Sequence, residues 1–197
     1  MSKKGKLTKE LIVERAAGLF NSIGYYRASM SDLMNATGLE KGGIYNHFKS
    51  KDELAVAAFE YARRVFSERV SLRVQSETEP MEKLLAFLAA FSDVVENPPL
   101  PGGCPLLNCA VENSDSNPLL GEQVKMAFES FLNSTEQLLI SARESGALKK
   151  DIDTRQVATF IVSSLEGGIM LSNLYKEPDR MKQVCESLKA YISLLRT

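Results

Sequence analysis

Between Ser29 and Leu54 the chain carries small, hydroxylic, amide and cationic residues whose spacing suits the reading of a nucleic-acid duplex. In the segment KGGIYNHF, Lys41 to Phe48, the apolar Ile44 and Phe48 lie one helical turn apart and must face inward. That leaves Gly42, Gly43, Tyr45 and Asn46 on the opposite face, with Lys41 and His47 at its flanks. A helix entering a major groove needs such a face, because bare backbone permits close approach and Asn46 can offer its amide to a purine edge. Two glycines in a first turn each cost about 1 kcal/mol relative to alanine, which makes sense where the backbone must meet a phosphate or a base. Ser29, Ser31, His47 and Lys51 suit phosphates instead, contacts that position a protein without specifying sequence. The alternative is a flexible helix start with no role.

These groups need rigid supports, and the flanking sequence supplies the punctuation for them. Ser29 with Asp32 forms a capping-box start, Gly38 stops that helix, and Ser50 with Glu53 opens another after Phe48. Upstream, Ile12, Ala16, Leu19, Phe20 and Ile23 recur at helical spacing, predicting a bracing helix capped by Thr8 and ended by Gly24. Downstream, the pattern predicts a fourth helix from Lys51 to Val74, a fifth from Pro80, and a break at NPPLPGG, Asn97 to Gly103. A short sixth helix is expected from Cys104 to Glu112 and a seventh from Pro118 to Gly146. An eighth is capped by Asp153 with Gln156, and a ninth starts at Pro178. No strand-like alternation interrupts this series, so the chain reads as all-α. The expected division is an N-terminal helix-turn-helix domain over 1–54 and a C-terminal helical domain over 55–197.

The stretch from Thr8 to Leu54, and above all GLEKGGIYNHFKSKDEL, resembles the DNA-binding region of the TetR family of one-component transcriptional regulators. The glycine turn, the lysine-glycine helix start, the aromatic-bearing recognition helix ending in Phe48 and the lysine-capped fourth helix each have their counterpart. Glu40 stands where the family often has serine, and Met34 where the residue is commonly small. The resemblance implies a homodimer that binds double-stranded operator DNA through the second helix of each motif. It also implies a separate helical domain that senses a small organic effector, with repression as the usual outcome. The segment GGCPLLNCAVEN, Gly102 to Asn113, is similar to a GCxxxN-like segment in one subset of that family. In some members of the subset the cysteine is a reactive switch for oxidants or electrophiles; in others it lines the cavity.

Charge is distributed rather than uniform: up to Leu54 nine lysines and arginines face six acids, whereas the whole chain carries a formal charge of −1. The positive field is thus confined to the end that carries the motif, which excludes a uniformly basic nucleic-acid binder. Lys3, Lys4 and Lys6 form either a disordered arm adding salt-dependent affinity or an ordinary solvated tail. The start MSKKGK has no apolar run behind it, and the longest such run, Leu84 to Phe91, is far below the ~20 residues of a membrane span. A soluble, cytoplasmic protein is expected.

Three cysteines, Cys104, Cys109 and Cys185, neither pair evenly nor show zinc spacing, which fits a reducing compartment. Cys104, at a predicted helix start, is the one with a chemical argument for reactivity, since the helix dipole favours a thiolate there. The plainer reading makes all three small buried hydrophobes. An effector cavity would draw on Phe66, Phe87, Phe91, Cys104, Leu107, Met126, Phe131 and Met170, with Arg63, Asn108, Glu166 and Asn173 as polar groups to orient a ligand. Helices eight and nine carry broad apolar faces. Val157, Phe160, Ile161, Ser164, Leu165, Gly168 and Leu171 lie on one; Met181, Val184, Leu188, Tyr191, Ile192 and Leu195 lie on the other. Paired across a two-fold axis they would form a four-helix dimer bundle; otherwise they complete the monomer core. No phosphate loop, metal cluster, cofactor motif or histidine beside a nucleophile points to an enzyme. The sequence thus leaves a ligand-responsive DNA-binding regulator, a thiol-based sensor acting through Cys104, and, less well supported, a helical binding protein or enzyme.

Overall fold

The computed structural model describes residues 3–112 and 117–197; Asn113, the last residue of the cysteine-bearing segment, lies outside them. Among the described residues the chain forms nine helices: α1 (Lys3–Ile23), α2 (Met30–Thr37), α3 (Lys41–Tyr45), α4 (Lys51–Gln75), α5 (Pro80–Glu96), α6 (Pro105–Val111), α7 (Pro118–Glu144), α8 (Thr154–Tyr175) and α9 (Asp179–Leu194). A single antiparallel bridge between Leu148 and Arg196 is the one extended pairing among them.

The helix ends follow local chemistry. At α2, the Asp32 N–H donates to Ser29 Oγ at 3.1 Å while the Ser29 N–H donates back to Asp32 Oδ2 at 2.8 Å. The Ser29 hydroxyl, 2.6 Å from Asp32 Oδ2, is the main cause holding that carboxyl below the usual carboxylate range. Gly38 ends α2 at φ 68, a left-handed conformation, with its N–H on Met34 O. The Glu53 N–H donates to Ser50 Oγ at 3.1 Å, and its carboxylate accepts the Lys49 N–H at 2.6 Å, one residue before the cap, so α4 opens on a variant of the capping box. Asp153 caps α8 through the Gln156 N–H at 2.9 Å.

Two expectations need correction. Helix α1 begins at Lys3 instead of at Thr8, so Lys3, Lys4 and Lys6 belong to a helix and not to a disordered arm. Lysine is a good helix former, and no proline lies upstream of Thr8 to stop the backbone ladder. Helix α3 closes at Tyr45, three residues earlier than expected: the His47 N–H turns back to Ile44 O at 3.0 Å, and the last turn tightens.

The chain packs as two compact units, one holding the described residues up to Val65 together with Leu100–Met126, the other Phe66–Pro99 and Ala127–Thr197. The division falls inside α4 and inside α7. In the first unit Ile12, Ala16 and Phe20 of α1, Leu33, Ile44, Phe48, Leu54 and Phe59 are buried. Phe20 stacks on Tyr25 with centroids 5.0 Å apart, and Tyr25 meets Phe59 edge-on at 6.5 Å. In the second unit α5, α8 and α9 bury Leu84, Leu88, Phe91, Ile161, Leu165, Met181, Leu188 and Ile192. Gly168 permits the close contact of α8 with α9, since a Cβ there would lie 2.7 Å from Met181 Sδ and 3.2 Å from Val184 Cγ2. Arg155, at the start of α8, binds α7 through Glu129 at 2.6 Å and Glu136 at 3.4 Å.

Most of the faces expected to pair in a dimer are therefore used within the protomer: Val157, Ile161, Leu165, Gly168, Met181, Leu188 and Ile192 are buried. What α8 leaves outside is a stripe of Phe160, Met170 and Leu174, with open space around Gly167. Helix α8 is long and apolar enough to cross a membrane by length and composition; half of its most apolar window is buried inside the protein. Replacing Ser29 by Ala is expected to lower stability by about 1 kcal/mol, measured by urea unfolding.

Candidate nucleic-acid interface

Helix α3 is held from below and bare above. Ile44 and Phe48 are buried, whereas Lys41, Gly42, Asn46 and, at 41% exposure, Tyr45 face solvent; Gly43 and His47 are half-buried. A Cβ on Gly42 would meet nothing within 4 Å, and one on Gly43 would make ordinary contact with Leu39 at 3.5 Å. The fold itself therefore does not demand glycine at position 42. The Lys41 ammonium lies 5.8 Å from the centre of the Tyr45 ring, which orients both groups on one flank. Lys9, from α1, sits over the Phe48 ring at 5.0 Å, adding a cation beside the motif. Ser29 and Ser31 are exposed at the start of α2, where unsatisfied amide hydrogens favour an anion. Lys51 donates to the Tyr26 carbonyl at 3.4 Å, which places it beside the bend between α1 and α2.

That bend is gripped by a segment more than seventy residues away in sequence. Asn21, buried in α1, donates from Nδ2 to Pro101 O at 2.7 Å and to Gly103 O at 2.9 Å. Asn108 of α6 donates to Asn21 Oδ1 at 3.0 Å and to Gly102 O at 2.9 Å. Gly102, at φ 99, passes so close that a Cβ would strike the Asn21 carbonyl. The Tyr25 N–H donates to Glu112 Oε2 at 2.7 Å, with the Tyr26 N–H at 3.3 Å from the same oxygen. Sequence reading missed these partners. Its only clue was a polar Asn21 on an otherwise apolar stripe of α1, and no local pattern connects that to residues 101–112.

The expected effector residues separate between the two units. Arg63, Cys104, Leu107, Asn108 and Met126 lie in the first, where Arg63 pairs with Glu60 at 2.7 Å, Asn108 is engaged as above and Met126 is 63% exposed. Phe66, Phe87, Phe91, Phe131, Glu166, Met170 and Asn173 lie in the second. The four phenylalanines form one aromatic cluster, with Phe91 stacked on Phe131 at 5.7 Å and in contact with Phe87 at 5.3 Å and Phe66 at 6.3 Å. Glu166 is buried at 6% exposure, while Met170 is half exposed and Asn173 faces solvent.

None of the three cysteines is in a disulfide, and all are buried. Burial, aided by the negative charge of Glu112, pushes the Cys109 thiol up to about 12 even though a hydrogen bond with Tyr25 opposes it. Burial likewise raises the Cys185 thiol, which donates to Leu88 O at 3.2 Å. Cys104, at 3% exposure, lies where a reagent in solvent does not reach it. Among the described residues no group of His, Cys, Asp or Glu side chains is arranged to hold a metal ion.

Residues 80–188 match the family described as tetracyclin repressor-like, C-terminal domain, and residues 12–58 match the bacterial regulatory proteins of the tetR family. The chain belongs to the TetR family. A TetR transcriptional regulator from Chloroflexus aurantiacus J-10-FL is 38% identical, with a TM-score of 0.92 over 98% of this chain and 97% of that one. A TetR-family regulator from Cytophaga hutchinsonii is 28% identical, with a TM-score of 0.90 over 100% and 98%. Among curated relatives, the HTH-type transcriptional repressor DhaR of Mycobacterium sp. (strain GP1) is 22% identical over 89% of this chain and 87% of its own length. This TetR-family protein is accordingly a ligand-responsive, DNA-binding transcriptional regulator. Its buried thiols are expected to resist iodoacetamide at pH 8 in the native state and to react on unfolding in urea, as followed by intact mass.

Proposed function

We propose that this regulator is a repressor whose homodimer holds two copies of α3 in successive major grooves of operator DNA and releases them when a small organic effector binds. The observation that carries the reading is the outer face of α3: anchored beneath by Ile44 and Phe48, it leaves Gly42 in open space with Tyr45 and Asn46 exposed. A glycine that the fold does not need, in a helical turn where it costs about 1 kcal/mol, is accounted for by a partner outside the chain. Gly43, Tyr45 and Asn46 then approach base edges, while Ser29, Ser31, Lys41, His47 and Lys51 hold phosphates. In this reading residues 1–54 are the DNA-binding domain and 55–197 the effector-binding and dimerisation domain, working in the cytoplasm.

Dimerisation is assigned to the outer stripe of α8, where Phe160, Gly167, Met170 and Leu174 recur at helical spacing. Met170 fits that surface better than an effector site. Two-fold symmetry is what the DNA demands, since two recognition helices must meet major grooves roughly 34 to 36 Å apart. The aromatic cluster of Phe66, Phe87, Phe91 and Phe131 is the natural lining for an organic effector. Effector binding is taken to favour a conformer in which α4 shifts and the two heads lose their spacing. A differential affinity of about 1 to 3 kcal/mol suffices. The rival thiol switch through Cys104 is disfavoured by the burial of that side chain.

Gel-shift titration with the DNA upstream of the gene tests the reading; a salt-sensitive, sequence-preferring complex is expected, and its absence overturns the proposal. Gly42→Ala is expected to raise stability by up to about 1 kcal/mol while weakening operator binding at least tenfold. Asn46→Ala is expected to cost about 1–3 kcal/mol in operator binding and to relax discrimination at one base pair per half-site.

A further inference from the structure

We infer that Glu112, the residue closing α6, is a positioning residue for DNA recognition: its carboxylate fixes the bend from which the reading helices start. Its Oε2 accepts the N–H of Tyr25 at 2.7 Å and lies 3.3 Å from that of Tyr26. These amides follow the end of α1, where the main chain has turned out of its helical ladder, and a carboxylate acceptor makes a stronger bond than a neutral one. The bend is shaped to receive it. Gly24 has φ 100, and a Cβ at that position would run into Glu112 Oε1.

The consequences run directly into the motif. The carbonyl of Tyr26, whose amide faces Glu112, accepts the Lys51 ammonium at 3.4 Å, so the same residue joins α6 to the start of α4. Four residues after Gly24 the Ala28 N–H closes on Gly24 O at 3.2 Å, and Ser29 then caps α2. The direction in which α2 departs, and with it the pose of α3, is thereby set from a residue that belongs by sequence to the C-terminal family match. Asn21 and Asn108 hold the other end of the 101–112 segment against α1, so Glu112 is delivered to the bend by a braced element.

This inference rests on the DNA-binding reading, and the two can fail separately. The test compares full-length wild type, Glu112→Gln and Glu112→Ala on a duplex selected by the wild type from a randomised pool, using fluorescence anisotropy over a range of salt. Gln keeps a neutral acceptor and Ala keeps none, so affinity is expected to fall by a few-fold in the first and by about tenfold or more in the second. The slope of log affinity against log salt should stay unchanged, because no phosphate contact is lost. Amide hydrogen exchange supplies a readout independent of global stability: Tyr25 and Tyr26 should lose protection in Glu112→Ala while the interiors of α4 and α8 keep theirs. A Glu112→Ala protein that binds within twofold of wild type overturns the inference, as does a loss in both variants that merely tracks their unfolded fraction in urea. A wild type that selects no duplex overturns this inference and the DNA-binding reading together.

Discussion

A helix of five residues, such as α3, cannot hold itself. Helix nucleation is unfavourable, and α3 has too few hydrogen bonds of its own to offset that cost in water. Its existence and its orientation rest on the burial of Ile44 and Phe48, each of which contributes about 1.5–3 kcal/mol when fully removed from water. Those side chains sit in a core shared with α1, α2 and the first half of α4. Because the anchors occupy one side of so short a helix, the other side is left to solvent, where Lys41, Gly42, Tyr45 and Asn46 are exposed while Gly43 and His47 are half-buried.

The second constraint is polar. The segment from Pro101 to Glu112 adheres to α1 through Asn21, Asn108 and Glu112, which satisfy main-chain groups that would otherwise be buried at a cost. Hydrogen bonds of this kind fix register better than apolar contact does, since a shift of an ångström breaks them whereas a hydrophobic surface slides. A segment that falls within the C-terminal family match thus packs in the same unit as α1, α2 and α3. The chain passes from one unit to the other within α4 and within α7.

In the second unit the same apolar residues could have served two ends, a protomer core or a dimer seam. Packing decides between them: Gly168 allows α9 to approach, and Met181, Leu188 and Ile192 are spent on α8 and α5. The residual stripe around Phe160 and Leu174 is narrower than the sequence suggested. The cysteines follow the same logic. A thiol at a helix start is activated only if solvent or a cation reaches it, and here Cys104, Cys109 and Cys185 are all inside.

What the sequence determined by itself was whatever local rules govern. Capping by Ser29, Ser50 and Asp153, the stop at Gly38, the starts at Pro80 and Pro118, and the inward turn of Ile44 and Phe48 depend on residues three or four apart, and spacing alone reveals them. Where a start lacks a strong signal, as at Lys3, or a stop lacks a glycine, as at Lys176 with its φ of 59, local reading fails by several residues or is silent. Tertiary structure alone decided which apolar faces meet, which candidate effector residues share a unit, and that Glu112 reaches the amides of Tyr25 and Tyr26. Those outcomes depend on groups from 13 positions apart, as Gly168 and Met181 are, to 87 positions apart, as Tyr25 and Glu112 are, and periodicity carries no information about which surface on another element a face will find.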